Sequence, residues 1–167
     1  MTTYDFNDEN GPVAAHKHPN GGGWVADSAF VEPTAYVGPN AMVFGYAKVF
    51  GYAMVFGYAM VLGYAMVFGY AQVFGDAQVF GYAWVFGKAQ VFGKAWVKHG
   101  HHSKTPTSVT RADGYTFTLQ EDRIVAGCRD FNLDEAREHW CDPEHHMYEE
   151  SKDIFEFLLK TYERNPK

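Results

Sequence analysis

Hydrophobic residues in the middle of the chain recur at a strict interval of six positions. Valine occupies every sixth position from Val25 to Val97, thirteen times in succession, and alanine stands four residues after nearly every valine. Between Val43 and Val91 the repeating unit is Val-Phe-Gly-Tyr-Ala-x, with few exceptions. Because side chains alternate between the two faces of a strand, Ala and Val of each unit point to one face and the residue between them to the other. The pattern predicts short strands stacked as a solenoid, in which no repeat has a core of its own.

The Phe-Gly-Tyr part of each unit predicts a corner, because glycine readily adopts the positive φ that a tight bend requires. Three such units close a triangular coil of eighteen residues, and each coil pairs with the next by parallel hydrogen bonding. Residues 25–98 give about four coils. The narrow interior accepts valine at one inward position and only a small side chain at the other, which explains the unvarying alanine.

Stacking at a period of eighteen residues also predicts which side chains form columns on the outside. The three outward strand columns are Met42, Met60, Gln78 and Trp96; Lys48, Met66 and Trp84; and Met54, Gln72 and Gln90. The area of methionine and aromatic side chains on these faces is larger than the apolar area that soluble monomers usually expose. Such side chains are suited to protein interfaces. The candidate binding residues are therefore Met54, Met60, Met66, Trp84, Trp96, Phe50, Phe68 and Phe86.

The first units, Val25-Ala-Asp-Ser-Ala-Phe, Val31-Glu-Pro-Thr-Ala-Tyr and Val37-Gly-Pro-Asn-Ala-Met, resemble the hexads of the hexapeptide-repeat superfamily. That resemblance covers just under half of the chain. It implies a mainly β fold, a left-handed parallel β-helix of about four triangular coils. It also implies self-association as a dimer or trimer, with the trimer favoured by the habit of the superfamily.

The chain divides into four predicted segments. Residues 1–23 form an N-terminal lead-in or cap, 24–98 the β-helix, 99–106 a linker and 107–167 a small ββαα domain. The lead-in contains a run of glycines before Trp24. We expect the lead-in to cover the open end of the first coil.

The C-terminal domain shows strand, cap and helix signals in succession. Two strands are predicted at 108–119 and 123–128, joined as a hairpin. Asn132 and Glu135 predict the capping box of a first helix, which runs through Trp140. Asp142 and Pro143 predict the start of a second helix, because proline suits the first helical position. The apolar stripe expected on that second helix consists of Met147, Ile154, Phe155, Leu158 and Tyr162.

Charge and cysteine content limit the functions that the chain can serve. The net charge is −6, and the region from Arg111 to the end has fourteen acidic and eight basic side chains. Nucleic-acid binding is not expected, because no basic stripe is visible. Two cysteines are too few for a disulfide framework, and the chain opens without an apolar leader or membrane segment. These features predict a cytoplasmic protein, in the host cytoplasm if the protein is viral.

Few residues of the chain are candidates for enzymatic chemistry. The best-known hexapeptide-repeat proteins are acyltransferases, whose catalytic histidine acts beside a groove for the acyl carrier. No histidine lies within the repeats, so the weak catalytic candidates are His99, His101 and His102, beyond the last repeat. Neither their close spacing nor that of Cys128, His139, Cys141, His145 and His146 matches a known zinc pattern. No metal and no cofactor is therefore expected.

Two short strings in the C-terminal region indicate a biological setting. Residues 126–131 (Ala-Gly-Cys-Arg-Asp-Phe) and 135–140 (Glu-Ala-Arg-Glu-His-Trp) are similar to a tail found in phage and prophage-encoded hexapeptide-repeat proteins. The function predicted from the whole sequence is a non-enzymatic interaction protein that binds and inhibits a host factor, such as part of a defence system. The partners expected are a host protein and further copies of the chain. The alternatives are an acyltransferase using acetyl-CoA or a related donor, and sequestration of a small molecule or nucleotide by aromatic stacking.

Overall fold

The structure, a computed structural model, describes residues 2–102, 104–144 and 147–164 of the chain. It consists of two compact units, Met1–Thr105 and Pro106–Lys167. The first unit is a parallel β-solenoid of about four turns, and the second combines an antiparallel sheet with two helices. The mainly β fold class predicted from the six-residue repeat is therefore confirmed.

Short strands, numbered along the chain, make the three sides of the solenoid. An N-terminal arm contributes β1 (Thr3–Tyr4) and β2 (Val13–Lys17). The first side consists of β3 (Trp24–Ala26), β6 (Met42–Val43), β9 (Met60–Val61), β12 (Gln78–Val79) and β15 (Trp96–Val97). The second side consists of β4 (Phe30–Val31), β7 (Lys48–Val49), β10 (Met66–Val67), β13 (Trp84–Val85) and β16 (His101–His102). The third side consists of β5 (Tyr36–Val37), β8 (Met54–Val55), β11 (Gln72–Val73) and β14 (Gln90–Val91).

Neighbouring coils pair in parallel with a register of eighteen residues. In β10 and β13, Met66 lies opposite Trp84 and Val67 lies opposite Val85. The backbone N–H of Phe68 donates to the carbonyl oxygen of Val85 at 2.9 Å, and the equivalent bond recurs on all three sides. The three outward columns predicted from the sequence are confirmed by this register.

The corners of the coils require glycine for two reasons. Gly45 has a backbone φ of +68°, which residues other than glycine rarely adopt. A Cβ atom on Gly45 would lie 2.9 Å from the backbone nitrogen of Gly63 on the next coil. Because the Tyr46 N–H donates to the Gly63 carbonyl oxygen at 2.8 Å, the two coils cannot separate here without losing a hydrogen bond.

The interior of the repeat region contains valine and alanine. Every valine from Val37 to Val97, and every alanine from Ala35 to Ala95, is at most 2% exposed. Their side chains form one continuous core along the axis of the coils. The prediction that the inner space holds one branched and one small side chain per repeat agrees with this packing.

The solenoid continues beyond the last valine of the repeat. His101 lies opposite Trp84 and His102 opposite Val85, so the chain returns after seventeen residues instead of eighteen. His102 is buried at the inward position that valine takes elsewhere. The sequence placed a linker at 99–106, and the structure shows one more side of the solenoid within that range.

The second unit is a four-stranded antiparallel sheet with two helices. Its strands follow the chain in the order β17 (Ser108–Thr110), β18 (Thr116–Gln120), β19 (Arg123–Ala126) and β20 (Arg129–Asn132). The helices are α1 (Leu133–Trp140) and α2 (Tyr148–Arg164). Its core is formed by buried residues of both layers, chiefly Phe117, Ile124, Ala126, Ala136, Trp140, Phe155 and Leu158.

The sheet has four strands where the sequence predicted two. A turn at residues 112–114 divides the first predicted strand, and the Gly114 N–H donates to the Arg111 carbonyl oxygen at 2.8 Å. The second predicted strand ends at Ala126 instead of Cys128. The fourth strand, β20, was missed because its residues are mostly polar and carry no alternating pattern.

The two helices begin differently from one another. For α1 the predicted capping box is confirmed: Asn132 Oδ1 accepts from the Glu135 N–H at 2.9 Å, and Glu135 Oε2 accepts from the Asn132 N–H at 2.8 Å. The predicted start of the second helix at Pro143 is wrong, because α2 begins at Tyr148. Met147, assigned to the apolar stripe, has a φ of +63° and precedes the helix.

Arg111 connects the first turn of the sheet to α2. Its guanidinium donates to both carboxylate oxygens of Asp113, at 3.0 and 2.6 Å, and to the buried Ser151 hydroxyl at 2.7 Å. The cation also lies 5.2 Å from the ring centre of Tyr115. The hydrogen bond from Arg111 lowers the pKa of Asp113 from 3.8 to about 2.

We expect Ala65→Leu to destabilise the solenoid by roughly 1–3 kcal/mol, because the added atoms overpack a filled interior. Ala65 is 0% exposed. Urea unfolding followed by circular dichroism measures the loss. Gln72→Leu, an outward position on the same coil, is the control and should leave the unfolding midpoint nearly unchanged. An equal loss in both variants would contradict the packing argument.

We expect Asp113→Asn to weaken the second unit at neutral pH and to have a much smaller effect at pH 2. Asp113 has a lowered pKa in the folded chain, so its stabilisation is complete above its ordinary pKa of 3.8 and is lost as the pH falls through about 2. Amide hydrogen exchange at Phe117 as a function of pH measures the difference. Asp122→Asn, an exposed carboxylate of the same sheet, is the control. A difference that is undiminished at pH 2 would argue against the Arg111 bond.

Candidate interaction surface

The first side of the solenoid is partly covered by the N-terminal arm. The Phe6 ring stacks on Phe44 with a centroid distance of 4.7 Å, and Tyr4 stacks on Trp24 at 4.4 Å. Phe6 and Phe44 are 3% and 4% exposed. Met60, a candidate binding residue, packs against this cluster. The N-terminal half of the first side is therefore occupied by the chain itself.

The second side carries the largest exposed apolar residues of any strand column. Its outward column is Phe30, Lys48, Met66, Trp84 and His101, of which Phe30 is 56% and Trp84 36% exposed. A ladder of corner phenylalanines follows the column, with ring distances of 4.8 Å from Phe50 to Phe68 and 5.1 Å from Phe68 to Phe86. We call the column and this ladder together the second-side surface.

The third side is more polar toward its C-terminal end. Its outward column begins with Tyr36 and Met54 and continues with Gln72 and Gln90. The two glutamine amides are in contact along the column, with Gln90 Nε2 3.5 Å from Gln72 Oε1. This side therefore has fewer exposed apolar side chains to offer a partner, although Phe92 at its corner is 49% exposed.

The aromatic ladders present ring edges to solvent, and ring faces only at their ends. Tyr46, Tyr64 and Tyr82 stack with centroid distances of 5.3 and 5.4 Å and interplanar angles of 13° and 6°. Each ring face is thus turned toward the ring of the next coil. Trp84 is likewise stacked on His101 at 4.4 Å. Nucleobases and sugars bind aromatic residues through ring faces, so the ladders are poorly suited to them.

Charged groups on the solenoid are few and scattered. Lys48 is the exposed cation of the second-side surface, and the Glu32 carboxylate at the base of the phenylalanine ladder accepts the Gly51 N–H at 2.6 Å. Lys88 and Lys94 lie at different corners. No cluster of cations suited to holding phosphate groups is found among the coils that the structure describes.

The candidate catalytic histidines have separate environments. His102 is buried, and its Nε2 lies 2.7 Å from the carbonyl oxygen of His99, an acceptor, so this nitrogen donates. His101 is exposed and stacks on Trp84, while His99 is partly exposed. The structure therefore places one ring in the core and one on the second-side surface.

A histidine and a carboxylate also meet near the other end of the solenoid. His16 Nδ1 lies 2.8 Å from Asp27 Oδ1, and both side chains are largely exposed. An oriented imidazole of this kind is one part of a general-base arrangement. His18, two residues further along, is buried with its Nδ1 3.2 Å from the Asn20 carbonyl oxygen.

The cysteines and histidines of the second unit do not form a ligand set among the described residues. No group of three or more His, Cys, Asp or Glu side chains in those parts of the chain has the spacing of a metal site. Cys128 is exposed, whereas burial raises the pKa of the Cys141 thiol. His145 and His146 lie outside the described residues.

The structure brings five of the eight candidate binding residues together. Met66, Trp84, Phe50, Phe68 and Phe86 all belong to the second-side surface. The other three are on different sides, with Met60 and Trp96 on the first and Met54 on the third.

Two features of these surfaces were missed by the sequence reasoning. Phe30 stands at the head of the second-side column, and the period of eighteen before Lys48 was sufficient to find it. The cover that Phe6 and Tyr4 provide could not be found in that way, because the arm lies outside the repeat.

None of the helices described is long and apolar enough to cross a membrane. Comparisons with protein-family models, with curated proteins and with solved structures found no match to this chain. The candidate surface therefore rests on its own geometry.

We expect Phe6→Ala to release the arm from the first side, because the substitution removes a stacked ring worth roughly 3 kcal/mol of local packing. The Ala15 N–H, which donates to the Thr2 carbonyl oxygen at 3.0 Å, reports on this docking through its hydrogen exchange. Exchange at Ala15 should become faster. Tyr58→Ala, a corner residue that is 66% exposed, is the control and should not change it. Unchanged exchange in Phe6→Ala would show that other contacts hold the arm.

Proposed function

We propose that this chain is a non-enzymatic interaction protein that binds a partner protein through its second-side surface. The observation that carries the proposal is the asymmetry of the three sides. The arm covers part of the first side, while Phe30 and Trp84 remain 56% and 36% exposed on the second. Large exposed apolar side chains on one side of a fold are typical of interaction sites on soluble proteins.

The composition of the surface favours a protein partner over a small ligand. A flat side made of methionine, phenylalanine and tryptophan offers anchors that fill pockets on another protein. Small ligands bind in concave sites, and a row of ring edges does not form one. The stacked ladders likewise give little support to nucleotide sequestration, since their ring faces are turned toward each other.

The finer parts of the proposal come from resemblance. The hexads resemble those of the hexapeptide-repeat superfamily, which supports a left-handed coil. The strings at 126–131 and 135–140 are similar to a tail of phage and prophage-encoded members. We therefore propose a host protein, such as a defence factor, as the partner, and the host cytoplasm as the place of action. Self-association as a dimer or trimer is the second expected use of a solenoid side.

The size of the second side sets a requirement for such a complex. About four coils spaced ~4.8 Å apart and six residues wide give a side of roughly 20 by 20 Å, or about 400 Å². A stable interface buries about 800 Å² on each partner. The second-side surface is therefore an anchor for a partner that also contacts neighbouring corners or edges.

We expect Met66→Asp and Trp84→Asp each to weaken the complex at least tenfold, because a buried unpaired carboxylate costs about 1.4 kcal/mol or more. Gln72→Asp, which introduces the same charge on the third side, is the matched control and should bind normally. The measurement is pull-down from host lysate with mass-spectrometric identification, followed by titration of the recovered partner. Equal weakening by all three changes would remove the second side from the proposal.

The acyltransferase alternative is tested separately by calorimetric titration with acetyl-CoA. If the chain is a non-enzymatic interaction protein, titration with acetyl-CoA should give no heat of binding. His99→Ala should then leave the capture of the partner protein unchanged. Tight binding of acetyl-CoA, together with turnover that is lost in His99→Ala or His101→Ala, would replace the proposed function by the enzymatic one.

A further inference from the structure

The first coil of the solenoid is covered by a partial layer of chain. On the first side, β2 pairs antiparallel with β3, with His16 opposite Val25, and β1 pairs with β2 beyond it. An exposed strand edge at this position would otherwise be a site of uncontrolled pairing. The first side of the coil is thus closed by two additional strands.

The third side is closed in a different way, by the loop at residues 18–23. The Gly23 N–H donates to the Val37 carbonyl oxygen at 2.9 Å, and the Val37 N–H donates to the Asn20 carbonyl oxygen at 3.0 Å. A Cβ atom on Gly21 would lie 2.2 Å from the Val37 oxygen. The run of glycines therefore permits close contact with β5, which is its structural role.

The second side has no such cover. Two hydrogen bonds connect β4 to the chain at β7. The Phe30 N–H donates to the Ala47 carbonyl oxygen and the Glu32 N–H to the Val49 carbonyl oxygen, both at 2.9 Å. Backbone groups alternate in direction along a strand, so the N–H and C=O of Val31 point away from β7. In residues 2–102, 104–144 and 147–164, no hydrogen-bond partner of these two groups is found. At Val37, the equivalent position of the third side, both groups are paired.

Side-chain burial at this edge agrees with the hydrogen bonding. Val25 and Val37 are 0% exposed, whereas Val31 and the neighbouring Ala29 are only partly buried. Phe30 is 56% exposed. The covering layer therefore closes the first and third sides of the first coil and leaves the second side open at β4.

We propose that this open edge is an acceptor site for an extended segment of another protein, which adds as one strand to β4 and completes the covering layer. Main-chain hydrogen bonds supply affinity in strand addition, and side-chain pockets supply specificity. The backbone of the added strand pairs with the N–H and C=O of Val31. The site differs from the second-side surface in being an edge, and it stands whether or not that surface binds.

The height of the neighbouring cover determines which occupant fits. The cover consists of two strands above the first coil on the first side and of one segment of loop above it on the third. A single extended segment fits between these flanks. The same end of a second copy carries the same raised cover, which would meet the flanks before the two β4 edges could pair. We therefore assign the site to a strand from a different protein.

The repeat itself indicates which side chains the added strand carries. In β4, β7, β10 and β13 each valine lies opposite a valine of the neighbouring strand, and each outward residue lies opposite an outward residue. The added strand accordingly places a branched aliphatic side chain over Val31 and a methionine or aromatic side chain over Phe30. Ala29 limits the adjoining inward position to a small residue.

The experiment uses a synthetic peptide that copies residues 64–71, Tyr-Ala-Met-Val-Phe-Gly-Tyr-Ala, as the probe. In the free protein we expect the Val31 amide to exchange with solvent at least about 100-fold faster than the Val37 amide. Addition of the peptide should slow exchange at Val31 and leave Val37 unchanged. A peptide with proline in place of its phenylalanine is the control and should have no effect, because the N–H of that residue is the one that donates to the valine carbonyl oxygen of the next strand, as Phe68 does to Val85.

Two variants test the position of the bound peptide. Val31→Pro removes the open N–H and leaves the bonds of Phe30 and Glu32 to β7 in place, since proline is tolerated on edge strands. It should weaken peptide binding at least tenfold. Phe30→Lys should also weaken it, whereas Tyr36→Lys, the corresponding outward residue under the closed third side, should not. Phe30→Lys keeps the test valid if Val31→Pro does not fold.

Each other outcome overturns the proposal. Slow exchange at Val31 in the free protein would show that the edge is already covered. Fast exchange without any effect of the peptide, or equal binding by the wild-type chain, Val31→Pro and Phe30→Lys, would exclude a strand acceptor at β4. Sedimentation of the chain alone should be the same before and after Val31→Pro. A dimer that this change dissociates would assign the edge to a second copy instead.

Discussion

The whole first unit depends on the narrowness of its interior. Each repeat contributes one valine and one alanine to the inside, and those from Ala35 to Val97 are at most 2% exposed. A single coil has too few apolar atoms to be stable, so burial is achieved only between coils. The strict repeat follows from this constraint, because a larger inward side chain in any coil separates it from both neighbours. The two ends of the stack are consequently the places where the constraint is relieved.

The same register that fills the interior also shapes the outside. Residues eighteen apart are held about 5 Å from each other, so identical aromatic side chains stack ring on ring, as Phe50, Phe68 and Phe86 do. Stacking turns most ring faces inward along the ladder and leaves the edges to solvent. An aromatic-rich sequence therefore does not imply a platform for bases or sugars here. The surface that remains is flat and apolar, and it is suited to another protein.

Sequence reasoning succeeded where the period controls the structure and was less complete elsewhere. The inward and outward columns followed from strand alternation alone, and the capping box of α1 followed from Asn132 and Glu135. The second unit has no repeat, and its turn at 112–114 and polar strand β20 depend on contacts far apart in sequence, such as Arg111 with Ser151. Of the candidate binding residues, those on the second side lie together. The arm that covers Met60 was invisible, because nothing periodic connects Phe6 to Phe44.

The exposed features of the solenoid converge on one of its three sheets. The sheet with the most exposed outward column is also the sheet whose first strand has no cover, and Phe30 belongs to both features. A side of roughly 400 Å² is too small for a stable interface, which buries about 800 Å² on each partner. A partner that adds a strand to β4 and continues across Met66 and Trp84 would contact both an edge and a face. Such binding gains main-chain hydrogen bonds in addition to apolar burial, so it does not require a larger flat surface. In a complex with such a partner, the open edge and the apolar side would therefore act together.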